Sequence, residues 1–176
     1  MSCFKKYILL VILTLLVVSC KPPVQEKPED KTSFYKRSLV EMNRYIRERN
    51  REYIMAFLDR TGWKMTETPT GLWVMYLEPG DGKTVEKDKL VSYSYETRLI
   101  NGTLCYSADT ITPKKIVVGK GNIEAGLEEG LLMLRENSVA RFIIPPYLGH
   151  GNVGDGEKIP GSAILIIDVH ILAVNR

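Results

Sequence analysis

The sequence predicts an α+β fold, in which an antiparallel β-sheet wraps around a short α-helix and a long N-terminal helix precedes the sheet. Three observations predict this fold. The segment 119–151 passes from glycine-rich turn residues to helical spacing and then to a β-branched run. Asn101-Gly102 follows a strand pattern and is a strong hairpin signal, because both residues tolerate positive φ. Residues 33–62 place apolar side chains near helical spacing.

The first residues of the chain have the features of an export signal. Lys5 and Lys6 precede a short apolar run. That run is shorter than the roughly 20 residues that a membrane-spanning helix needs. The segment 17–20, Val-Val-Ser-Cys, resembles the bacterial lipobox. This resemblance implies a lipoprotein signal peptide over 1–19 and a lipid on Cys20, which would anchor the protein in the cell envelope, on the periplasmic or outer-membrane side. The alternative is an ordinary signal peptide with a coincidental cysteine.

Charge and cysteine content narrow the functions to be considered. The formal charge is +3, and removal of residues 1–19 would leave 22 basic against 21 acidic residues. No basic stripe remains, so we expect no nucleic-acid partner. Of the three cysteines, Cys105 would be the one free thiol, without a disulfide partner. The two histidines, His150 and His170, are separated in sequence, and we expect no metal site.

Residues 20–32 are rich in proline and charge and are expected to form a flexible tether. The helix predicted over 33–62 ends at Gly62, a common helix stop. Its apolar positions have two alternative explanations. The helix packs against its own domain, or it forms a homodimer with a second copy of the chain, although a polar break at 49–51 interrupts the apolar stripe.

The remaining elements follow from alternation and turn residues. Asn122 is expected to cap a helix over Glu124–Leu132, whose buried face includes Leu127 and Leu131. Pro145-Pro146 ends the fourth predicted strand. Strands are predicted over Leu72–Leu77, Leu90–Leu99, Lys115–Val118, Val139–Ile144 and Ala163–Val169.

Several of these segments together resemble one family. They are Gly-Leu-Glu-Glu-Gly at 126–130, the strand ending Ile-Pro-Pro at 144–146, Ile159-Pro160, and a last strand that contains Asp168. With the hairpin at Asn101-Gly102 they resemble the FKBP-type peptidyl-prolyl cis-trans isomerases over about 71–174. The order of lipobox, linker, helix and domain resembles the gliding-motility-associated branch found in Bacteroidetes.

The resemblance implies a set of pocket residues, some of which depart from the family pattern. Leu127 stands where the family often has Trp, Cys105 where it has Phe, and Tyr106 where it has Asp. Lys114 takes an aromatic position, and His150 takes the place of a Tyr whose hydroxyl bonds the substrate amide. The site residues implied by the resemblance are Tyr95, Tyr106, Ile123, the backbone of Glu124, Leu127, His150, Ile159 and Ile167.

The activity that this resemblance implies is rotation about the X-Pro bonds of proline-containing polypeptides, here exported proteins whose folding it would assist. The barrier to rotation is about 18–20 kcal/mol. Lowering it requires an apolar pocket that favours the twisted amide, without a nucleophile, metal or cofactor. Because the pocket has lost aromatic residues, an alternative is a catalytically weak or inactive FKBP-like chaperone or binding module.

Overall fold

The computed structural model describes residues 31–175, which form two helices, seven strands and a 3-10 turn. The long helix that the sequence predicts comes first, and the short helix lies between the fifth and sixth strands. In chain order the elements are α1 (Lys31–Thr61), β1 (Thr66–Glu67), β2 (Trp73–Pro79), β3 (Leu90–Leu99), β4 (Leu104–Ala108), β5 (Lys114–Val117), α2 (Ala125–Leu131), β6 (Ser138–Ile144), a 3-10 turn (Pro146–Leu148) and β7 (Leu165–Asn175).

The strands form one antiparallel sheet in the order β1-β2-β6-β7-β3-β4, and β5 also pairs with β3. β7 lies at the centre, between β6 and β3, and pairs with β3 along its whole length from Leu90 to Leu99. The α+β arrangement predicted from the sequence, an antiparallel sheet with a short helix against it, is therefore confirmed.

Two glycines allow α2 to lie close against β6. A Cβ added at Gly126 would come within 2.8 Å of Ile144 Cγ2, and one at Gly130 within 2.7 Å of the Phe142 ring. Both neighbours are fully buried. The Gly-Leu-Glu-Glu-Gly motif therefore serves helix–sheet packing, because only a hydrogen at these two positions leaves room for the side chains of β6. The main core cluster contains Leu127, buried together with these residues.

The chain divides into two units after Met42. In the first unit the described residues, 31–42, are helical, and the apolar side chains of Phe34, Tyr35, Leu39 and Val40 are exposed. No helix within residues 31–175 is long and apolar enough to cross a membrane.

In the second unit, only the last turns of α1 are buried. Ile54, Phe57 and Leu58 form a smaller core cluster with Trp73 and Ile143. By contrast, Tyr53 is 56% exposed. Within residues 43–61, the helix therefore packs against its own domain through the turns near its C-terminus. The other apolar positions of the predicted stripe remain on the surface of the single chain.

Trp63, which follows α1, contacts an ion pair on the sheet. Arg141 on β6 donates to both carboxylate oxygens of Asp168 on β7, at 2.5 and 2.8 Å. The Arg141 guanidinium carbon lies 4.1 Å from the centroid of the Trp63 ring. Asp168, which the sequence marks as an acidic residue in an apolar strand, thus has a structural role.

The predicted cap of α2 was wrong, whereas the hairpin predicted at Asn101-Gly102 is present between β3 and β4. The residue at the N-cap of α2 is Glu124, not Asn122, and no side chain caps this end of the helix. In the hairpin, Gly102 alone has positive φ, at 93°, and Asn101 does not. The hairpin therefore has a three-residue loop ending in a left-handed glycine, not the two-residue turn that Asn-Gly favours.

Candidate functional site

A cavity of about 530 Å³ lies between β3, the start of α2 and the loops that follow the 3-10 turn. Its lining combines aromatic, aliphatic and charged side chains with glycines. The lining residues are Tyr95, Thr97, Tyr106, Lys114, Gly121, Asn122, Ile123, Glu124, Ala125, Leu127, Gly149, His150 and Asp155. A space of this size accommodates a few residues of an extended peptide, and its mixed lining is typical of a ligand site.

The cavity brings together six of the eight site residues predicted from the sequence. These are Tyr95, Tyr106, Ile123, Glu124, Leu127 and His150. Ile159 and Ile167 are 2% and 0% exposed, and they belong to the core cluster that also contains Leu127. The structure therefore places these two side chains in the core and not in the lining of the cavity, where the sequence predicts them.

One wall is formed by Tyr95 of β3. Tyr95 is half-buried, and its ring lies 5.7 Å from the ring of Tyr93, centroid to centroid. The Lys114 ammonium lies 5.3 Å from the centroid of the Tyr95 ring, so this wall carries a positive charge. Burial raises the pKa of the Tyr95 hydroxyl, and the nearby Glu124 carboxylate raises it further.

Tyr93 has an unusual environment directly behind this wall. Its side chain is fully buried, and among the described residues its hydroxyl has no hydrogen-bond partner. Burial is the main cause that raises its pKa, and the charges of Glu124 and Tyr95 add to that effect. The Glu124 carboxylate thus raises the pKa of two tyrosines, Tyr95 in the wall and Tyr93 behind it.

The floor comes from the start of α2. Leu127 is buried at 2% exposure, whereas Ile123 is half-buried just before the helix begins. The first N–H groups of a helix have no partner within the helix. At the start of α2, no side chain caps these groups by accepting their hydrogen bonds. The floor is therefore apolar, with backbone donors at its edge.

The Glu124 side chain contacts His150, the histidine that the sequence predicts as a site residue. His150 Nε2 lies 2.9 Å from Glu124 Oε1, and the two side chains are 26% and 15% exposed. The sequence-based prediction used the backbone of Glu124 and a free donor on His150. The structure adds the side chain of Glu124 and shows that His150 already has a hydrogen-bond partner.

Tyr106 occupies a position at which the family pattern has Asp, and it binds a carboxylate from another loop. Its hydroxyl donates to Asp155 Oδ2 at 2.5 Å. Asp155 Oδ1 accepts the backbone N–H groups of Glu157 and Ile159, at 2.9 and 2.8 Å. The hydrogen bond from Tyr106 is the largest cause that lowers the pKa of Asp155, to about 2, and the same bond raises the pKa of Tyr106 to about 12.

Sequence reasoning missed Asp155, although a signal was present. Asp155-Gly156-Glu157 lies in a glycine-rich loop, and an Asp at such a place often accepts the backbone N–H two residues later. Cys105, which precedes Tyr106 on β4, is 3% exposed, and burial raises the pKa of its thiol. It is a small buried side chain with a free thiol, and the sequence predicts the free thiol.

Comparison with known proteins identifies this arrangement. Residues 81–172, just over half of the chain, match the family of FKBP-type peptidyl-prolyl cis-trans isomerases. FK506-binding protein 2 of Dictyostelium discoideum is 38% identical over 94 residues, which cover 53% of this chain and 70% of that protein. The probable FKBP-type peptidyl-prolyl cis-trans isomerase FkpA of Neisseria meningitidis is 31% identical over 137 residues, which cover 77% of this chain. The chain spans half the length of the N. meningitidis protein.

Solved structures agree on the fold. The crystal structure of FkpA from Escherichia coli superposes with a TM-score of 0.63 at 22% identity, covering 97% of this chain and 82% of that one. The crystal structure of AtFKBP13 superposes with a TM-score of 0.60 at 24% identity, covering 63% of this chain and 98% of that one. Sequence match and fold agree, and the chain belongs to the family of FKBP-type peptidyl-prolyl cis-trans isomerases.

Proposed function

We propose that this protein catalyses cis-trans isomerisation of X-Pro peptide bonds in polypeptide substrates. The observation that carries the proposal is the cavity itself, in a chain of this family. It has an apolar floor and wall formed by Leu127, Ile123 and Tyr95, and polar groups at its rim. An apolar floor suits the proline ring, and rim donors suit the carbonyl groups that flank it.

The proposed mechanism is preferential binding of the twisted amide. In the planar state the X-Pro bond is conjugated, and rotation removes that conjugation at a cost of about 18–20 kcal/mol. The carbonyl of a twisted amide is less dipolar than that of a planar one, so it loses less on leaving water for an apolar site. A site that holds the proline ring on Leu127 and offers hydrogen bonds that form only in the twisted state lowers the barrier. The backbone N–H of Glu124 and the ring of His150 are the proposed donors.

The test is the isomerisation rate of a short X-Pro peptide with the purified chain. We expect a rate above background, and a large decrease, about tenfold or more in kcat/KM, in Tyr95→Ala and Ile123→Ala, because each removes part of the apolar surface against the proline ring. Tyr76→Ala is the matched control, since Tyr76 lies on β2 and is 50% exposed. If no peptide is isomerised above background, whichever residue precedes the proline, the isomerase proposal is refuted. The alternative, a binding module without catalysis, would then remain, although the names of the relatives do not favour it.

We further propose that the protein is an exported lipoprotein of the bacterial cell envelope, tethered through Cys20, which assists the folding of exported proteins. The residues concerned, 1–30, lie outside the described part of the chain, and the proposal rests on the charged start, the apolar run and the lipobox. It includes the division into a signal peptide, a tether, a helix over 33–62 and a domain over 71–174, and the likeness to the gliding-motility-associated branch. Cys20→Ser should move the protein from the membrane fraction to the soluble fraction after export. Retention in the membrane would count against lipid anchoring.

We also propose that α1 pairs with a second copy of the chain. The support is the number of large apolar side chains that α1 exposes in a single chain, among them Tyr35, Leu39, Val40 and Met42 at 56% exposure or more. Such side chains are costly in water and suit a partner helix. Leu39→Glu with Val40→Glu should convert a dimer into a monomer in sedimentation equilibrium. A wild-type chain that sediments as a monomer at all concentrations would refute the pairing.

A further inference from the structure

The Glu124 carboxylate is a charged group at the rim of the cavity, and it is not needed for the isomerisation mechanism proposed above. Its side chain is 15% exposed, so it is largely removed from water. A carboxylate in such a place requires a donor, because an unpaired buried charge is costly. Among the described residues, the side chain that provides a donor is His150.

The pairing determines how the His150 ring is protonated. An ionised carboxylate only accepts hydrogen bonds, so the proton in the 2.9 Å contact lies on Nε2. In a neutral ring the other nitrogen, Nδ1, then has no proton to donate. A substrate carbonyl that accepts a hydrogen bond from Nε2 must therefore displace Glu124 as the acceptor. The carboxylate would then be left in the cavity without its donor.

The other charged groups of the lining differ from Glu124 in this respect. Asp155 accepts from Tyr106 and from two backbone N–H groups, so its acceptor capacity is largely used within its own loop. Lys114 is held over the face of Tyr95. With His150 neutral, the lining has two carboxylates and one ammonium, so its net charge is negative. Glu124 is the carboxylate in this lining that can exchange its partner.

We propose that Glu124 makes this site select substrates in which a basic residue precedes the proline. This inference rests on the isomerase function proposed above. With the proline ring on Leu127 and Ile123, the side chain of the preceding residue comes within reach of Glu124, which lines the cavity next to Ile123. A Lys or Arg side chain supplies the donor that Glu124 loses when His150 turns to the substrate carbonyl. Glu124 is thus a specificity-determining residue. Its charge becomes available to the substrate when His150 donates its hydrogen bond to the substrate carbonyl.

The test compares three peptides, Ala-Lys-Pro-Phe, Ala-Nle-Pro-Phe and Ala-Glu-Pro-Phe, where norleucine (Nle) is an uncharged side chain similar in size to lysine. For the wild-type chain we expect kcat/KM for the Lys peptide to exceed that for the norleucine peptide by about fivefold at low salt, and the ratio to fall as salt screens the charges. Glu124→Gln should bring the ratio close to one. Glu129→Gln is the matched control, because Glu129 lies on α2 outside the cavity lining and should leave the ratio unchanged.

The outcomes separate this inference from the proposed function. Equal rates for the Lys and norleucine peptides, or a preference that survives in Glu124→Gln, would overturn the selectivity while leaving the isomerase intact. Preference for the Glu peptide would also overturn it, because Lys114 would then dominate the rim. If no peptide is isomerised, the proposed function fails, and calorimetric binding of the same peptides still tests the selectivity. Tighter binding of the Lys peptide that Glu124→Gln abolishes would support it.

Discussion

Gly130→Ala tests the close packing of α2 on the sheet, on which the cavity floor depends. The new methyl group would lie 2.7 Å from two ring carbons of Phe142, whereas carbon atoms in contact prefer about 3.5–4.0 Å. The Phe142 ring is fully buried, so either the ring or the helix must move by about 1 Å. Because the methyl group meets a fully buried ring at 2.7 Å, the cost lies in the upper part of the usual overpacking range, at about 2–3 kcal/mol, and the helix preference of Ala over Gly returns about 1 kcal/mol.

The net expectation is a loss of about 1–2 kcal/mol in the free energy of unfolding. In urea this corresponds to a midpoint lower by about 0.5–1 M, with an unchanged slope. The same substitution in a Phe142→Leu background provides the control, because the shorter side chain removes the ring carbons that the methyl group would meet. There we expect Gly130→Ala to be neutral or stabilising. An equal loss in both backgrounds, or a stabilised Gly130→Ala protein, would refute the packing argument.

Two further predictions concern hydrogen-bonded carboxylates. The pKa of Asp155 lies below its unfolded value, so the bond from Tyr106 stabilises the fold above about pH 4, and that contribution disappears as the pH falls toward 2. Tyr106→Phe should therefore unfold more easily at pH 7 in thermal melts, and the difference from wild type should vanish near pH 2; a difference independent of pH would contradict this. Asp168→Asn removes the charge from an ion pair that has two hydrogen bonds and side chains 23% and 30% exposed. Because Arg141 then has no charged partner, the free energy of unfolding in guanidinium should fall by about 1–2 kcal/mol. Glu48→Gln, in an exposed ion pair on α1, should lower the free energy of unfolding by less than about 0.5 kcal/mol. Equal losses for Asp168→Asn and Glu48→Gln would contradict the role given to burial.

The elements of the fold were largely predictable because their signals are local. The third strand, Leu90–Leu99, has the bounds that its apolar pattern predicts. Proline ends the strand before Pro145, as expected from its missing N–H. The cap of α2 was wrong because the local capping preference of Asn122 was overridden by the path of the chain into the helix.

The candidate site was predictable only in part, because its contacts join distant segments. Motif positions brought Tyr95 and His150 to the same cavity. The contacts that set its charge are between residues 26 and 49 positions apart, Glu124 with His150 and Tyr106 with Asp155. No periodicity encodes such pairs. The burial of Ile159 behind the lining likewise depends on how the last loop folds over the core.

The central place of β7 has a consequence for how the protein is made. Without this strand, β1, β2 and β6 would have no hydrogen-bonded connection to β3, β4 and β5. The sheet therefore cannot close, and the core to which β7 contributes cannot form, until residues 165–175 have left the ribosome. A ribosome stalled before Leu165 should present a nascent chain that proteases digest completely.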